Sequence, residues 1–90
     1  MKLDEIMFYT YVLESLKDRD LYVGYTRYLD KRLEEHNQGL SFATKSKRPW
    51  RIIYYEACLD ENDAKRREEY FKTTQGRRLL KIRLREYLKQ

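Results

Sequence analysis

Residues 6–14 (IMFYTYVLE) are β-branched and aromatic, and residues 21–25 (LYVGY) repeat that character after the polar run Ser15 to Asp20. The pattern predicts two strands joined by a short hairpin. Thr26 is suited to cap a helix over 27–37, whose Leu29 and Leu33 stand four apart and which ends near Asn37, Gln38 and Gly39. From Gly39 to Pro49 small and basic residues mix without periodicity, the mark of an exposed loop. Trp50 to Leu59 (WRIIYYEACL) returns to strand character. Asp60 or Asn62 then opens a second helix running to about Thr73. Thr74 and Gly76 mark a break before a third helix near 77–88, where Leu80, Leu84 and Leu88 share a stripe.

The order β-β-α-β-α-α predicts an α+β fold, a small three-stranded sheet flanked by helices that bury their stripes against it. There are too few βα units for a parallel doubly wound sheet. At 90 residues, one domain spanning 1–90 is expected.

Composition narrows the chemistry. One Cys permits no internal disulfide, and with one His it cannot build a Cys/His zinc site, which takes about four such ligands. A reducing cytoplasm is the expected compartment. No stretch approaches the roughly 18 apolar residues that cross a bilayer, and residues 1–5 carry acids where a signal peptide carries bases. Charged residues reach 39%, but the signs interleave and nine Tyr are present, so the chain can fold. The net charge of +5 is uneven. Lys45, Lys47, Arg48 and Arg51 fall in one acid-free run, and 72–90 hold seven bases against Glu86 alone. A nucleic-acid partner is consistent with this, as is a merely solvated helix face.

Helical phase picks out individual side chains. His36 lies within about 20° of Leu29 and Arg32 about 60° from it, so both border the apolar stripe. Ala64, Glu68 and Phe71 share a face within about 60°, which turns Glu68 inward and Glu69 outward. An inward carboxylate costs free energy unless it is paired or holds a cation. The plain structural alternatives are an i,i+4 pair of Glu68 with Lys72, a snorkelling Arg32 and a satisfied buried His36. Cys58 reads as a small buried hydrophobe, and Trp50 and Phe71 as core.

These residues stand beside Tyr9-Thr10-Tyr11 on the first strand and Tyr22-Val23-Gly24 on the second, with Arg32 eight residues after Gly24 and His36 four further on. The ordered set, closed by Ala64-x-x-x-Glu68, resembles the GIY-YIG nuclease family over about residues 8–83. It is most similar to the small stand-alone bacterial members related to the nuclease domain of the excision-repair incision subunit. Tyr11 alone of the first triplet carries over, since Tyr9 stands where the family name has Gly, and no Asn follows Asn62.

The resemblance implies an endonuclease that hydrolyses phosphodiester bonds in structured or single-stranded DNA, or RNA, in repair or recombination. It gives Glu68 one divalent cation, Mg²⁺ or Mn²⁺, and makes Tyr11, Tyr22, Arg32 and His36 the catalytic set. Arg32 would meet the phosphate, Tyr22 would support the phosphate or base, and either Tyr11 or His36 would take the proton from water. Tyr25 and Tyr28 are candidates for stacking on bases, and Thr44, Lys45, Lys47 and Arg48 for touching the phosphate backbone. Two rivals remain: a binding module of the same fold too weak for turnover, and a basic RNA accessory protein whose tyrosines only pack.

Overall fold

A computed structural model describes residues 6–90; the acidic N-terminus discussed above, 1–5, lies outside the described residues. The elements are β1 (Phe8–Ser15), β2 (Leu21–Thr26), α1 (Leu29–Asn37), a 3₁₀ turn (Lys45–Lys47), β3 (Trp50–Cys58), α2 (Glu61–Phe71), α3 (Thr74–Arg83) and the single turn α4 (Arg85–Leu88). The fold is α+β, with β1 central in an antiparallel sheet of order β2-β1-β3.

A central strand is covered on both faces, and β1 is buried from Thr10 to Ser15. Its alternation sorts the core. Tyr11 and Leu13 pack with Trp50, Tyr22, Ile52 and the α1 residues Leu29 and Leu33. Val12 packs with Val23, Phe71 of α2 and Leu80 of α3. The β1–β3 register slips between Val12 and Leu13 and skips Ile53. This bulge lets the consecutive residues Ile53 and Tyr54 both pack against the Val12 cluster. The Thr10 hydroxyl donates to the Ala64 carbonyl at 2.8 Å and ties the sheet to α2.

Four local expectations need correction. Thr26 does not cap α1. It ends β2 opposite Tyr9, and its Oγ1 accepts from the Tyr28 amide at 3.1 Å, so the turn delays the helix to Leu29. Asp60 caps α2 as expected, but Thr74 and Gly76 are no break. Thr73 caps α3 by accepting from the Gly76 amide at 3.0 Å, and Gly76 is helical and buried. A Cβ there would lie 1.9 Å from the Tyr70 carbonyl oxygen, so the glycine marks close approach of two helices. The expected third helix also divides at Leu84, where the chain turns and Tyr87 reaches the buried Glu14. Arg19 donates to that carboxylate at 2.8 Å, and Arg19 and Arg51 flank the Tyr87 ring. Burial raises the Glu14 pKa, but Tyr87, Arg19 and Arg51 outweigh it and hold it low. Finally, Cys58 is half-buried, its thiol pushed up by burial and by Asp63, Glu56 and Asp60. No helix among the described residues is long and apolar enough to cross a membrane.

Because backbone blocks any added atom at Gly76, Gly76→Ala should cost about 3 kcal/mol in chemical denaturation. A loss within about 0.5 kcal/mol would contradict the close approach.

Candidate active site

Tyr11 projects from β1 across its neighbour Gly24 on β2. A Cβ at Gly24 would fall 2.4 Å from the Tyr11 hydroxyl, so the phenol occupies space that only glycine leaves. There its hydroxyl meets His36 Nε2 at 2.9 Å. His36, on the last turn of α1, is fully buried. Its Nδ1 meets Thr44 Oγ1 at 2.7 Å. That hydroxyl in turn faces the Ser41 carbonyl at 3.4 Å. If Thr44 donates to Ser41, it accepts from Nδ1–H, and Nε2 is then the acceptor for the Tyr11 hydroxyl. The chain runs one way, from the phenol inward.

The same loop is fixed from its other side. The Trp50 indole donates to the Thr44 carbonyl at 2.8 Å, and Asn37 exchanges hydrogen bonds with the Trp50 backbone at 2.7 and 2.9 Å. Tyr22 packs edge-on to His36, with ring centroids 5.2 Å apart.

Arg32 lies beside the Tyr11 hydroxyl and bonds Glu35 at 3.1 Å, its side chain 34% exposed. Burial acts to lower its pKa, but Glu35 and Tyr11 prevail and hold the guanidinium charge firmly. Burial pushes Tyr11 up to about 12, against the pull of Arg32 and with smaller upward pushes from Tyr22 and Glu68. Burial, aided by the Arg32 charge, lowers His36 to about 4. At neutral pH the phenol is therefore protonated and the imidazole neutral. Tyr11, Tyr22, Arg32 and His36 lie together, and the charge of Glu68 on α2 is near enough to raise the phenol slightly.

Glu68 turns inward as its phase predicts, with 19% of its side chain exposed, whereas Glu69 faces solvent. The i,i+4 alternative is also present, since Lys72 donates to Glu68 Oε2 at 3.2 Å. Oε1 accepts from no protein group among the described residues. Among those residues no group of three or more His, Cys, Asp or Glu side chains is arranged to hold a metal ion, and both His36 nitrogens are already bonded. One hard carboxylate oxygen at an open edge fits Mg²⁺ or Mn²⁺, cations that keep most of their water.

The proposed nucleic-acid contacts are less uniform. Thr44 is a correction: it is fully buried and holds His36, so it cannot meet phosphate. Lys47 is engaged by Asp18 and Asp20, and Arg48 folds back onto the Lys45 carbonyl. Lys45 is exposed and lies over the Phe42 ring, while Lys65 covers Tyr25. Tyr28 is exposed. Phe42, 87% exposed, escaped the sequence reading. Its signal was an aromatic residue in an aperiodic polar loop.

A family described as the GIY-YIG catalytic domain matches residues 7–88. The chain belongs to the GIY-YIG family. It is 44% identical to a UPF0213 protein of Pediococcus pentosaceus over 66 residues, 72% of this chain and 68% of the relative. A UPF0213 protein of Staphylococcus haemolyticus is 36% identical over 75 residues, covering 82% and 90%. One from Clostridium perfringens is 37% identical over 67 residues, covering 73% and 71%. No solved structure matches. Those relatives' names state no activity, but the GIY-YIG domain itself points to a nuclease acting on nucleic acid, in a family generally dependent on divalent metal.

A histidine held neutral in the folded state but not in the unfolded one leaves stability intact above about pH 6.5 and erodes it as pH falls toward 4. The shift is worth at most about 3 kcal/mol. The His36 ring protons should therefore hold their NMR positions from about pH 8 to 5.5, and a midpoint near 6.5 would contradict the buried hydrogen-bonded chain.

Proposed function

We propose that this chain is a metal-dependent endonuclease that hydrolyses phosphodiester bonds in DNA, structured or single-stranded, in repair or recombination in the cytoplasm. The observation that carries the reading is the Tyr11 hydroxyl, set between Arg32 and His36 Nε2 within reach of the Glu68 charge. A merely structural tyrosine has no use for that combination.

Phosphodiester hydrolysis needs a deprotonated water, stabilisation of charge on the phosphate, and help for the departing oxygen. Glu68 would hold the cation, whose charge supplies Lewis-acid stabilisation of the phosphate and acidifies water. Arg32, always charged and forked, suits the equatorial phosphate oxygens. Tyr22, whose hydroxyl bonds no protein group among the described residues, is available to the same phosphate. His36 is fully buried and Tyr11 2% exposed, so in this reading the proton enters at the Tyr11 hydroxyl, on the side of the partly exposed Arg32, and not at the imidazole behind it. A phenol with pKa near 12 is a poor anion, which favours a concerted transfer: Tyr11 accepts the water proton while passing its own to His36 Nε2. Thr44 keeps that nitrogen free to accept. In this reading Tyr11 takes the contact role and His36 the receiving role.

Cleavage of labelled single-stranded, duplex, flap and branched DNA with Mg²⁺ or Mn²⁺ tests this. Glu68→Gln and Arg32→Lys should each lower the rate by at least about 100-fold with folding retained. Equal rates for Glu68→Gln and the unaltered protein would overturn it, and binding without cleavage on every substrate would favour the binding module.

A further inference from the structure

About half of the lysines and arginines among the described residues have a carboxylate partner, among them Arg19 with Glu14, Arg32 with Glu35, Lys47 with Asp18 and Asp20, Arg66 with Asp63, and Arg67 with Glu56. What sets α3 apart is that three cations without one are gathered on a single face. Arg77, Arg78 and Lys81 project within an arc of about 100°. Among the described residues none of the three forms an ion pair. Arg78 and Lys81 are exposed, and with Thr74, Ile82 and Arg85 they line an open groove of about 570 Å³.

This arrangement works against the helix that carries it. Like charges at i,i+4, here Arg77 and Lys81, repel. The first turn of α3 holds no acid, while Arg77 and Arg78 sit in the N-terminal half, where the macrodipole disfavours cations. A face that sacrifices local stability to concentrate positive charge is complementary to a polyanion.

The helix begins close to Glu68. Arg77 Nη1 donates to the Leu21 carbonyl at 3.4 Å, one residue before Tyr22. At the foot of α3, Lys72 bonds Glu68. Lys72, beside Glu68, is thus followed along α3 by Arg77 and Lys81, the latter two about 6 Å apart along its axis.

We infer that the Arg77–Arg78–Lys81 face of α3 is a docking track for the phosphate backbone of a nucleic-acid strand whose neighbouring segment lies in the Tyr11–Glu68 site. The inference rests on the nuclease reading for the direction of the strand, while the track itself is read by binding alone. Contact is through phosphates, so the track is indifferent to base sequence.

The test is fluorescence anisotropy with labelled single-stranded DNA of about 20 and about 5 nucleotides, comparing Arg78→Gln/Lys81→Gln with Lys17→Gln/Arg66→Gln, which removes equal charge from elsewhere. Two lost phosphate contacts should flatten the slope of log affinity against log salt by about 1.4, or about 25-fold in affinity at about 0.1 M salt. The longer strand should suffer this, and the short one, which the site alone accommodates, should bind within about twofold of the unaltered protein. Losses equal to those of the charge-matched control, or equal for both strand lengths, overturn the track. So does failure of the unaltered protein to bind the longer strand. Cleavage is scored separately: a track that binds as described in a protein that never cuts refutes the nuclease reading and leaves the track standing.

Discussion

The Tyr11–His36 hydrogen bond organises this molecule. It joins the central strand to α1 across a sheet position that Gly24 keeps empty, and it forms where neither partner meets bulk water. A buried polar pair is tolerable only when every donor and acceptor is satisfied. Thr44 and the Ser41 carbonyl complete that satisfaction on the inner side, and the Arg32 guanidinium lies beside the phenol on the outer. The loop after α1, which has almost no regular structure, is thereby fixed by the same bonds that orient the imidazole.

That arrangement gives the two faces of the sheet different work. Val12, Val23, Phe71 and Leu80 form an ordinary apolar core under α2 and α3. On the other face Tyr11, Leu13 and Trp50 pack with Tyr22, so part of the core carries polar groups. Glu68 reaches the Tyr11 neighbourhood from α2, which Thr10 pins to β1 through Ala64, one turn earlier on the same helix. The position of the carboxylate is thus set by strand packing, and the charge at the phenol follows.

Much of this was legible in the chain. Strand alternation and the Leu29–Leu33 spacing gave the element order, and helical phase alone turned His36 and Glu68 inward. What escaped was long-range. Gly76 looks like a helix breaker locally, but it serves contact with the Tyr70 carbonyl, which no local pattern encodes. Thr26 resembles a cap because its hydroxyl does bond a backbone amide, only one turn too early for the helix. Thr44 sits among basic loop residues that face solvent, and only the fold reveals that it points at His36. Division of the last helix follows from Tyr87 reaching Glu14, 73 residues away in sequence.

The central claim is that the Tyr11 hydroxyl handles the proton of the attacking water. Replacement by phenylalanine keeps the ring over Gly24 and removes that oxygen alone, so the rate of DNA cleavage in saturating Mg²⁺ is the direct measure. A fall of about 100-fold or more for Tyr11→Phe, with the fold intact, is the predicted result. Cleavage at the unaltered rate would contradict it.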